Sequence, residues 1–286
     1  MKRVIQKVKV KKIRKNSDFF GIRNWILKKA VLKFYDIQSS HPLVDEYFEG
    51  SGFLNFGLWR DTKSQATACE LLVDELISRL AQRGNVLDVA CGNGATTRRL
   101  MNYWPPSEIT GININELQLE LAQKRAPGCR FLKMSATELE FRDSSVDNIL
   151  CVEAALHFNT REAFLREAFR VLKPGGRLVL SDILLNKWAI RMNLRVPTAN
   201  YLPDQHSYRA LLKNIDFREV EIIDVSDQVW PPFLANLDNF LKSALVAGKL
   251  KFLEKLYFYY WFWFLRRLGL KAFKNYLLLR VEKPGK

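Results

Sequence analysis

The residues best suited to hold a small ligand lie within residues 85–100, which read NVLDVACGNGATTRRL. The apolar run at the start of this stretch is typical of a buried strand, and Asp88 lies inside it. The run ends at Ala90, before Gly92 and Gly94. Because glycine has no Cβ, these positions permit a sharp turn and a close approach of a ligand to the backbone. The N–H groups at the start of the next helix favour a polar ligand, so we predict a binding turn here.

Alternating strands and helices are predicted on both sides of this turn. The further predicted strands lie at residues 109–114, 130–134, 147–152, 177–183, 218–225 and 276–281. The predicted helices lie at residues 64–82, 116–125, 161–172, 207–213 and, as a long insertion, about 232–273. Such alternation is typical of an α/β fold with a doubly wound, mostly parallel sheet that is covered on both faces.

The net charge of +15 is concentrated at the two ends of the chain. Residues 1–33 carry twelve Lys and Arg against one Asp, a net charge of +11, and residues 242–286 carry eleven against two Glu, a net charge of +9. The middle of the chain therefore has a net charge of −5. This distribution argues against a continuous groove for nucleic acid, and it suits a protein whose basic ends lie on an anionic membrane surface.

The cysteines and the apolar segments of the sequence indicate the cellular compartment in which the protein is found. The four cysteines show neither a CxxC pair nor a neighbouring histidine cluster, so we predict no disulfide framework and no metal site. The basic N-terminal residues lack the apolar core of a signal peptide, and the most apolar segment, residues 256–265, is too short to span a bilayer. We therefore expect a cytoplasmic protein, peripheral at a membrane surface if the basic ends bind lipid and soluble if residues 1–15 are a solvated tail.

Four motifs in a fixed order extend these observations: VLDVACGNG, ITGININ, FLKMSATELEF with DSSVDNILCVEAALHF, and RVLKPGGRLVLSD. This set resembles the class I S-adenosylmethionine (SAM)-dependent methyltransferases, in particular the small-molecule branch that includes natural-product, sterol and tocopherol methyltransferases. The resemblance covers about residues 48–284. It implies SAM as cofactor and a Rossmann-like sheet of seven strands, with the last strand antiparallel and helical insertions that form a lid over the acceptor.

The resemblance also assigns cofactor-binding positions. They are Asp88, Ala90, Gly92 and Gly94 around the methionine moiety, Asn113 and Gln118 at the ribose, and Ser135 and Ala136 at the adenine. Many relatives have an acidic residue where this chain has Asn113. Because an amide lacks the charge-assisted part of the hydrogen bond, we expect Gln118 to assist it. The structural alternative for Asn113 and Ser135 is ordinary loop capping.

His157 is the candidate general base. It follows the fourth strand, where strand ends face the ligand crevice of such sheets. The resemblance to natural-product O-methyltransferases implies that a histidine at this place acts as a general base. It also implies that an aspartate at the end of the fifth strand, here Asp182, orients the histidine. A histidine can accept a hydroxyl proton near neutral pH. The alternative is that His157 caps the strand or shapes the pocket.

Segments outside the predicted sheet are expected to meet an apolar small-molecule acceptor. Residues 53–59, 188–201 and 230–273 are rich in aromatic and apolar side chains. Around residues 259–263 the predicted helix is apolar on every side, so protein, lipid or a bound molecule must cover it. The resulting division is a basic amphipathic extension (1–46), a SAM-binding core (47–226) with an acceptor segment at about 185–205, an aromatic insertion forming a lid or facing a membrane (227–275), and a final strand with its tail (276–286).

Competing functions differ in what the sequence would show. A dinucleotide-binding oxidoreductase would carry GxGxxG and a later acidic residue, whereas CGNGATT lacks the third glycine. Amino-methyltransferases of nucleic acids usually carry an Asn/Asp-Pro-Pro-aromatic signature that is missing after the fourth strand. We therefore predict methylation of a hydroxyl oxygen. The alternatives are carbon methylation of a terpenoid, sterol or quinone, with His157 or Glu153 removing a proton later, and a catalytically idle SAM-fold binding module.

Overall fold

A seven-stranded sheet forms the centre of the computed structural model, which describes residues 41–191, 196–248 and 270–285. The strands are β1 (Val86–Val89), β2 (Ile109–Asn113), β3 (Arg130–Lys133), β4 (Val146–Val152), β5 (Leu172–Leu185), β6 (Arg218–Asp224) and β7 (Phe273–Glu282). Their order in the sheet is β3-β2-β1-β4-β5-β7-β6. Strands β1 to β5 are parallel, and β7 is antiparallel to both β5 and β6. The predicted mostly parallel sheet with an antiparallel last strand is confirmed.

Helices connect these strands and cover both faces of the sheet. The α-helices are α1 (Pro42–Tyr47), α2 (Gln65–Ile77), α3 (Ala95–Leu100), α4 (Glu116–Arg125), α5 (Arg161–Val171), α6 (Lys187–Arg191), α7 (Gln205–Asn214), α8 (Ser226–Val246) and α9 (Leu270–Ala272). Short 3₁₀ helices are found at Pro106–Glu108, Ala155–His157 and Thr198–Asn200. No helix in the described ranges is both long and apolar enough to cross a membrane.

Two apolar layers hold the sheet. On one face Leu72 and Leu76 of α2 are fully buried, and on the other Phe164 of α5 and Leu212 of α7 are fully buried. All four residues of β1 are buried as well, which is why its sequence is a nearly continuous apolar run rather than an alternating one. The sheet is therefore rigid at its centre, where β1 lies between β2 and β4.

Two prolines lie inside α8, because this helix begins at Ser226 and not near Pro232 as predicted. Proline has no N–H group, so Pro232 cannot donate to the Gln228 carbonyl one turn earlier. The Trp59 N–H donates to this carbonyl instead, at 2.9 Å. Because of Pro232, the Gln228 carbonyl is available to the Trp59 N–H. This hydrogen bond fixes the segment before α2 to helix α8.

Several predictions lie on residues that the structure leaves undescribed. These are most of the basic extension, the part of the aromatic insertion at residues 249–269, and residues 192–195 of the acceptor segment. The division of the chain at residues 46, 226 and 275 stays a prediction. The four cysteines are free thiols, and three of them are buried.

Candidate active site

The predicted site residues follow neighbouring strands at one edge of the sheet. Strand β1 pairs in parallel with both β2 and β4, so the carboxyl ends of these three strands lie side by side. The glycine turn, Asn113 and the turn that carries His157 come directly after them. The structure therefore brings three separate segments of the sequence to the crevice at which ligands of open α/β sheets bind.

The two glycines of the turn have different roles. Gly94 has a φ of +81°, and a Cβ there would lie 2.6 Å from the Ala122 Cα, so only glycine lets α3 pack against α4. Gly92 has a φ of +53°, and the nearest atom to a Cβ there would be the Leu54 Cδ1 at 4.0 Å. No described residue therefore fills the space over Gly92. Ala90, with a φ of +59°, begins the same left-handed turn.

Asn93, between these two glycines, has a side-chain oxygen that could bind a ligand. Its Oδ1 is buried and has no hydrogen-bond partner in the part of the chain that the structure describes, although most buried polar atoms in proteins have one. The backbone carbonyl of Asn93 accepts a hydrogen bond from the Arg125 Nη1 at 2.6 Å, which fixes the loop against α4. The open space at Gly92 and the unpartnered oxygen fit a polar group such as the methionine end of SAM.

Asp88 is buried behind the turn. The Thr97 hydroxyl of α3 donates to its Oδ2 at 2.6 Å, so the carboxyl group links β1 to the helix that follows the turn. Burial raises the pKa of Asp88 to about 7, and the hydrogen bond from Thr97 lowers it by less. A cation bound in front of the turn would favour the ionised form of this carboxyl.

Asn113 and Gln118 are in direct contact. The Asn113 Nδ2 donates to the Gln118 Oε1 at 2.8 Å, and the Asn113 Oδ1 accepts from the Ile114 N–H at 2.7 Å. Asn115 accepts from the Gln118 N–H at 3.2 Å and so caps α4. The two amides that the sequence pairs at the ribose position are therefore one hydrogen-bonded unit, while their role toward a ribose stays a prediction.

Ser135 and Ala136 follow β3 on the outer side of this unit. The Ser135 Oγ lies 3.0 Å from the Thr137 Oγ1 and accepts from the Thr137 N–H at 3.3 Å, which is a local turn contact. The Ala136 side chain is buried. These contacts are those of a capped loop, and adenine binding at Ser135 and Ala136 stays a prediction.

Asp182 makes different contacts from those predicted for it. Its carboxylate oxygens accept from the Arg161 Nε at 2.6 Å and from the Tyr208 hydroxyl at 2.7 Å. The Asp182 Oδ1 also accepts from its neighbour's backbone N–H at 2.8 Å. Asp182 is thus the counter-ion of Arg161, because a buried guanidinium requires a negative partner. Its role in orienting His157 stays a prediction.

Arg161 is a residue that the sequence reasoning missed. It is 2% exposed at the first position of α5. Burial alone would lower its pKa, but Asp182 and Tyr208 outweigh burial and raise it. A signal was available in the sequence, since a cation in the first turn of a helix is disfavoured by the helix dipole and so indicates a specific partner.

Glu153 closes the site on the acceptor side. It follows β4 with a φ of +52°, and its Oε1 accepts from the Phe56 N–H at 2.8 Å and from the Tyr276 hydroxyl at 2.5 Å. Burial raises the pKa of Glu153 to about 8, against the lowering by these two hydrogen bonds. Glu153 thus joins the segment before α2 to strand β7.

Aromatic rings surround this carboxyl group. Trp230 stacks on Phe273 with ring centroids 4.3 Å apart, and Phe56 contacts Trp230 edge to face at 5.0 Å. The Tyr276 ring lies 5.6 Å from Trp230. Two of the predicted acceptor segments, residues 53–59 and 230–273, therefore meet at the end of β4. Within the described ranges, no cluster of His, Cys, Asp and Glu side chains could hold a metal ion.

Comparisons with known proteins agree with this geometry. A sequence profile for a methyltransferase domain matches residues 87–180. The chain is 31% identical to O-methyltransferase rstn1 of Aspergillus nomiae over 196 residues, which span 62% of this chain and 85% of that protein. It is 28% identical to the erythromycin 3''-O-methyltransferase of Saccharopolyspora erythraea, with 72% of this chain and 74% of that protein covered.

A solved structure shows the same fold. Geranyl diphosphate C-methyltransferase from Streptomyces coelicolor, in complex with geranyl-S-thiolodiphosphate and S-adenosylhomocysteine (SAH), matches with a TM-score of 0.67 at 15% identity, over 90% of this chain and 98% of that one. The glycine turn, the order of the strands and the similar proteins all indicate the same family. The chain belongs to the class I SAM-dependent methyltransferases that act on small molecules, and SAM is its cofactor.

Proposed function

We propose that this enzyme methylates a hydroxyl oxygen of an apolar or amphipathic small-molecule natural product. The observation that carries the proposal is the position of His157, on the turn after β4 and beside the strand that leads into the glycine turn. A base in this crevice is useful when the acceptor is a hydroxyl that must lose a proton. The names of the fungal and the erythromycin relatives support oxygen as the methylated atom.

The protein contributes to the reaction mainly by positioning the methyl donor and the acceptor. The bound cofactor supplies an electrophilic methyl group, and transfer to an oxygen is an in-line displacement. The glycine turn and the Asn113–Gln118 pair would hold the donor, and the aromatic side chains around Trp230 would hold the acceptor and exclude water. Such positioning is worth up to about 7–11 kcal/mol. His157 would take the hydroxyl proton.

A methylation screen tests the proposed reaction. The full chain is incubated with SAM that carries a ¹³C-methyl group and with a panel of phenols, macrolides, terpenoid alcohols and quinones. The chemical shift of the transferred carbon then distinguishes an O-methyl from a C-methyl product. We expect O-methyl products, and C-methyl products alone would overturn the proposal.

Carbon methylation is the second candidate, and the half-buried Glu153 favours it. A carboxyl group at the end of β4, beside aromatic side chains, could remove a proton after a methyl group has been added to an electron-rich carbon. The likeness to a C-methyltransferase lies in the fold alone, at 15% identity. We therefore rank this reaction second.

Asp88 should link cofactor affinity to pH. We expect Asp88→Asn to weaken SAM binding by roughly tenfold, because a neutral amide cannot pair with the ammonium group of the methionine moiety as a carboxylate can. The SAM affinity of the wild type should also rise with pH as this carboxyl ionises around its pKa of about 7. Calorimetric titration with SAM between about pH 6 and about pH 8 measures both effects.

The same variant should change the pH dependence of stability in a known direction. The pKa of about 7 lies above the ordinary value of 3.8, so the folded protein keeps a proton that the unfolded chain releases. The wild type therefore loses stability as the pH rises from about 4 to about 7, by at most about 4 kcal/mol from this group. Asp88→Asn removes this loss. A stability difference between variant and wild type that does not change with pH would contradict the role of burial at Asp88.

We propose further that the enzyme associates peripherally with anionic membranes. Support comes from the concentration of positive charge in residues 1–33 and 242–286. Each Lys or Arg near an anionic surface contributes about 1 kcal/mol, and an apolar acceptor dissolves in such a membrane.

Co-sedimentation with vesicles of phosphatidylserine and phosphatidylcholine tests membrane association. We expect the full chain to sediment with these vesicles at low salt, and a form lacking residues 1–33 to bind them several-fold more weakly, because twelve cationic side chains are removed. Vesicles of phosphatidylcholine alone serve as the control. Equal binding of both forms, or none, would contradict the proposal.

A further inference from the structure

Asn200 holds the turn that carries His157. The Asn200 Nδ2 donates to the carbonyl of Leu156 at 2.9 Å and to the carbonyl of Phe158 at 2.8 Å, one on each side of His157. The Asn200 Oδ1 accepts from the Arg161 N–H at 2.6 Å. Asn200 is 3% exposed, so these bonds are shielded from water. One side chain thus fixes the backbone of residues 156–158.

A buried ion pair stands behind Asn200. The Arg161 guanidinium donates to the Asn200 backbone carbonyl and, at 3.3 Å, to the Ile183 carbonyl of β5. Arg161 is itself held by Asp182, which also accepts from Tyr208 of α7. The sheet, α5 and α7 therefore converge on Asn200 and restrict its position.

Asn200 belongs to the segment that is predicted to meet the acceptor. It lies in the 3₁₀ helix Thr198–Asn200, inside the acceptor segment predicted at about residues 185–205. A shift of residues 198–200 would disturb the two carbonyl contacts on the His157 turn. The segment that is expected to meet the acceptor is thus mechanically connected to the candidate base.

We propose that Asn200 is a positioning residue for His157, and that it couples the placement of the acceptor segment to the placement of the base. Asp182 then acts on the turn that carries His157 through Arg161 and Asn200. The proposal rests on the proposed function, in which His157 is the base. It identifies Asn200 as the residue that matches the base to an acceptor bound beside the 3₁₀ helix Thr198–Asn200.

Asn148 provides a matched control at the opposite edge of the sheet. It is fully buried at the start of β4, and its Nδ2 donates to the carbonyls of Ala81 and Arg83 at 3.0 and 2.9 Å. Its Oδ1 accepts from the Ala81 N–H at 2.8 Å. Asn148 and Asn200 thus make the same three kinds of hydrogen bond, so replacing either should destabilise the fold to a similar extent.

Histidine NMR separates positioning from stability. The full chain, labelled with ¹⁵N on its histidine rings and bound to SAH, contains three histidines, and His157→Ala assigns the signal of His157. We expect Asn200→Ala to shift or broaden the ring signals of His157, and Asn148→Ala to leave them in place. The SAH affinity of both variants should stay within about twofold of the wild type, since neither side chain belongs to the cofactor turn. Thermal unfolding compares their stability.

Each outcome decides the proposal. Unchanged His157 signals in Asn200→Ala, or equal changes in Asn148→Ala, would overturn it. If Asn200→Ala does not fold, Asn200→Asp keeps the oxygen that accepts from Arg161 and removes the two donors, and the same comparison applies. Full methyltransferase activity of His157→Ala would instead remove the base from the proposed function, and the NMR result for Asn200 would still stand.

Discussion

Replacing Arg161 with methionine is expected to lower the free energy of unfolding by about 3–5 kcal/mol. The change leaves the carboxylate of Asp182, which has no exposed surface, without its counter-ion, and among the described contacts the Tyr208 hydroxyl and a backbone N–H remain as donors. Methionine fills a similar volume, so the loss reports the missing charge and the hydrogen bonds to Asn200 and Ile183 and not a cavity. Denaturant unfolding at constant pH measures it.

Arg166 offers a control in the same helix. It pairs with Glu162 at 2.7 Å, and both side chains are about half exposed. Because solvent screens such a pair, Arg166→Met should change the stability by less than about 0.5 kcal/mol. The double variant Arg161→Met with Asp182→Leu should be more stable than Arg161→Met alone, since it removes the unpaired charge. Similar losses for Arg161→Met and Arg166→Met would contradict the account of the buried pair.

The sheet could be predicted from the sequence because its signals are local. Strand β1 is a short run in which three of four residues are apolar, and Gly92 follows two residues after Ala90; its burial on both faces is predicted by this pattern. Gly94 is likewise identified by its neighbours in the chain, although its packing against Ala122 is visible only in three dimensions. The pairing of Asn113 with Gln118 was predictable for the same reason, since five positions along a strand end and a helix start keep two side chains close.

The acceptor side could not be predicted to the same extent, because its contacts join distant parts of the chain. Glu153 meets Phe56 across 97 positions and Tyr276 across 123 positions. A sequence pattern places each of these residues on an element, but it does not say which elements touch. The same limit explains Asp182. The sequence places it on the fifth strand, which continues beyond it to Leu185, but does not identify its partner Arg161 on α5.

His157→Ala should lower kcat by about 10²–10⁴-fold with the acceptor identified in the screen, if His157 removes the hydroxyl proton. SAM affinity should stay within about twofold of the wild type, because the turn after β4 and the glycine turn are separate segments. The matched control is His206→Ala, since His206 is exposed in the first turn of α7. Steady-state kinetics and calorimetry with SAM measure the two quantities.

The pH dependence of kcat then decides between His157 and Glu153 as the base. Burial raises the pKa of Glu153 to about 8, so this carboxyl holds its proton at neutral pH and can accept another group's proton only as the pH rises past 8. A reaction that depends on Glu153 should therefore gain rate through about pH 8, and Glu153→Gln should abolish this gain. Dependence on His157 should instead leave any rise of kcat with pH intact in Glu153→Gln and remove it in His157→Ala. A rise near pH 8 that is lost in Glu153→Gln would reassign the base and favour methylation at carbon.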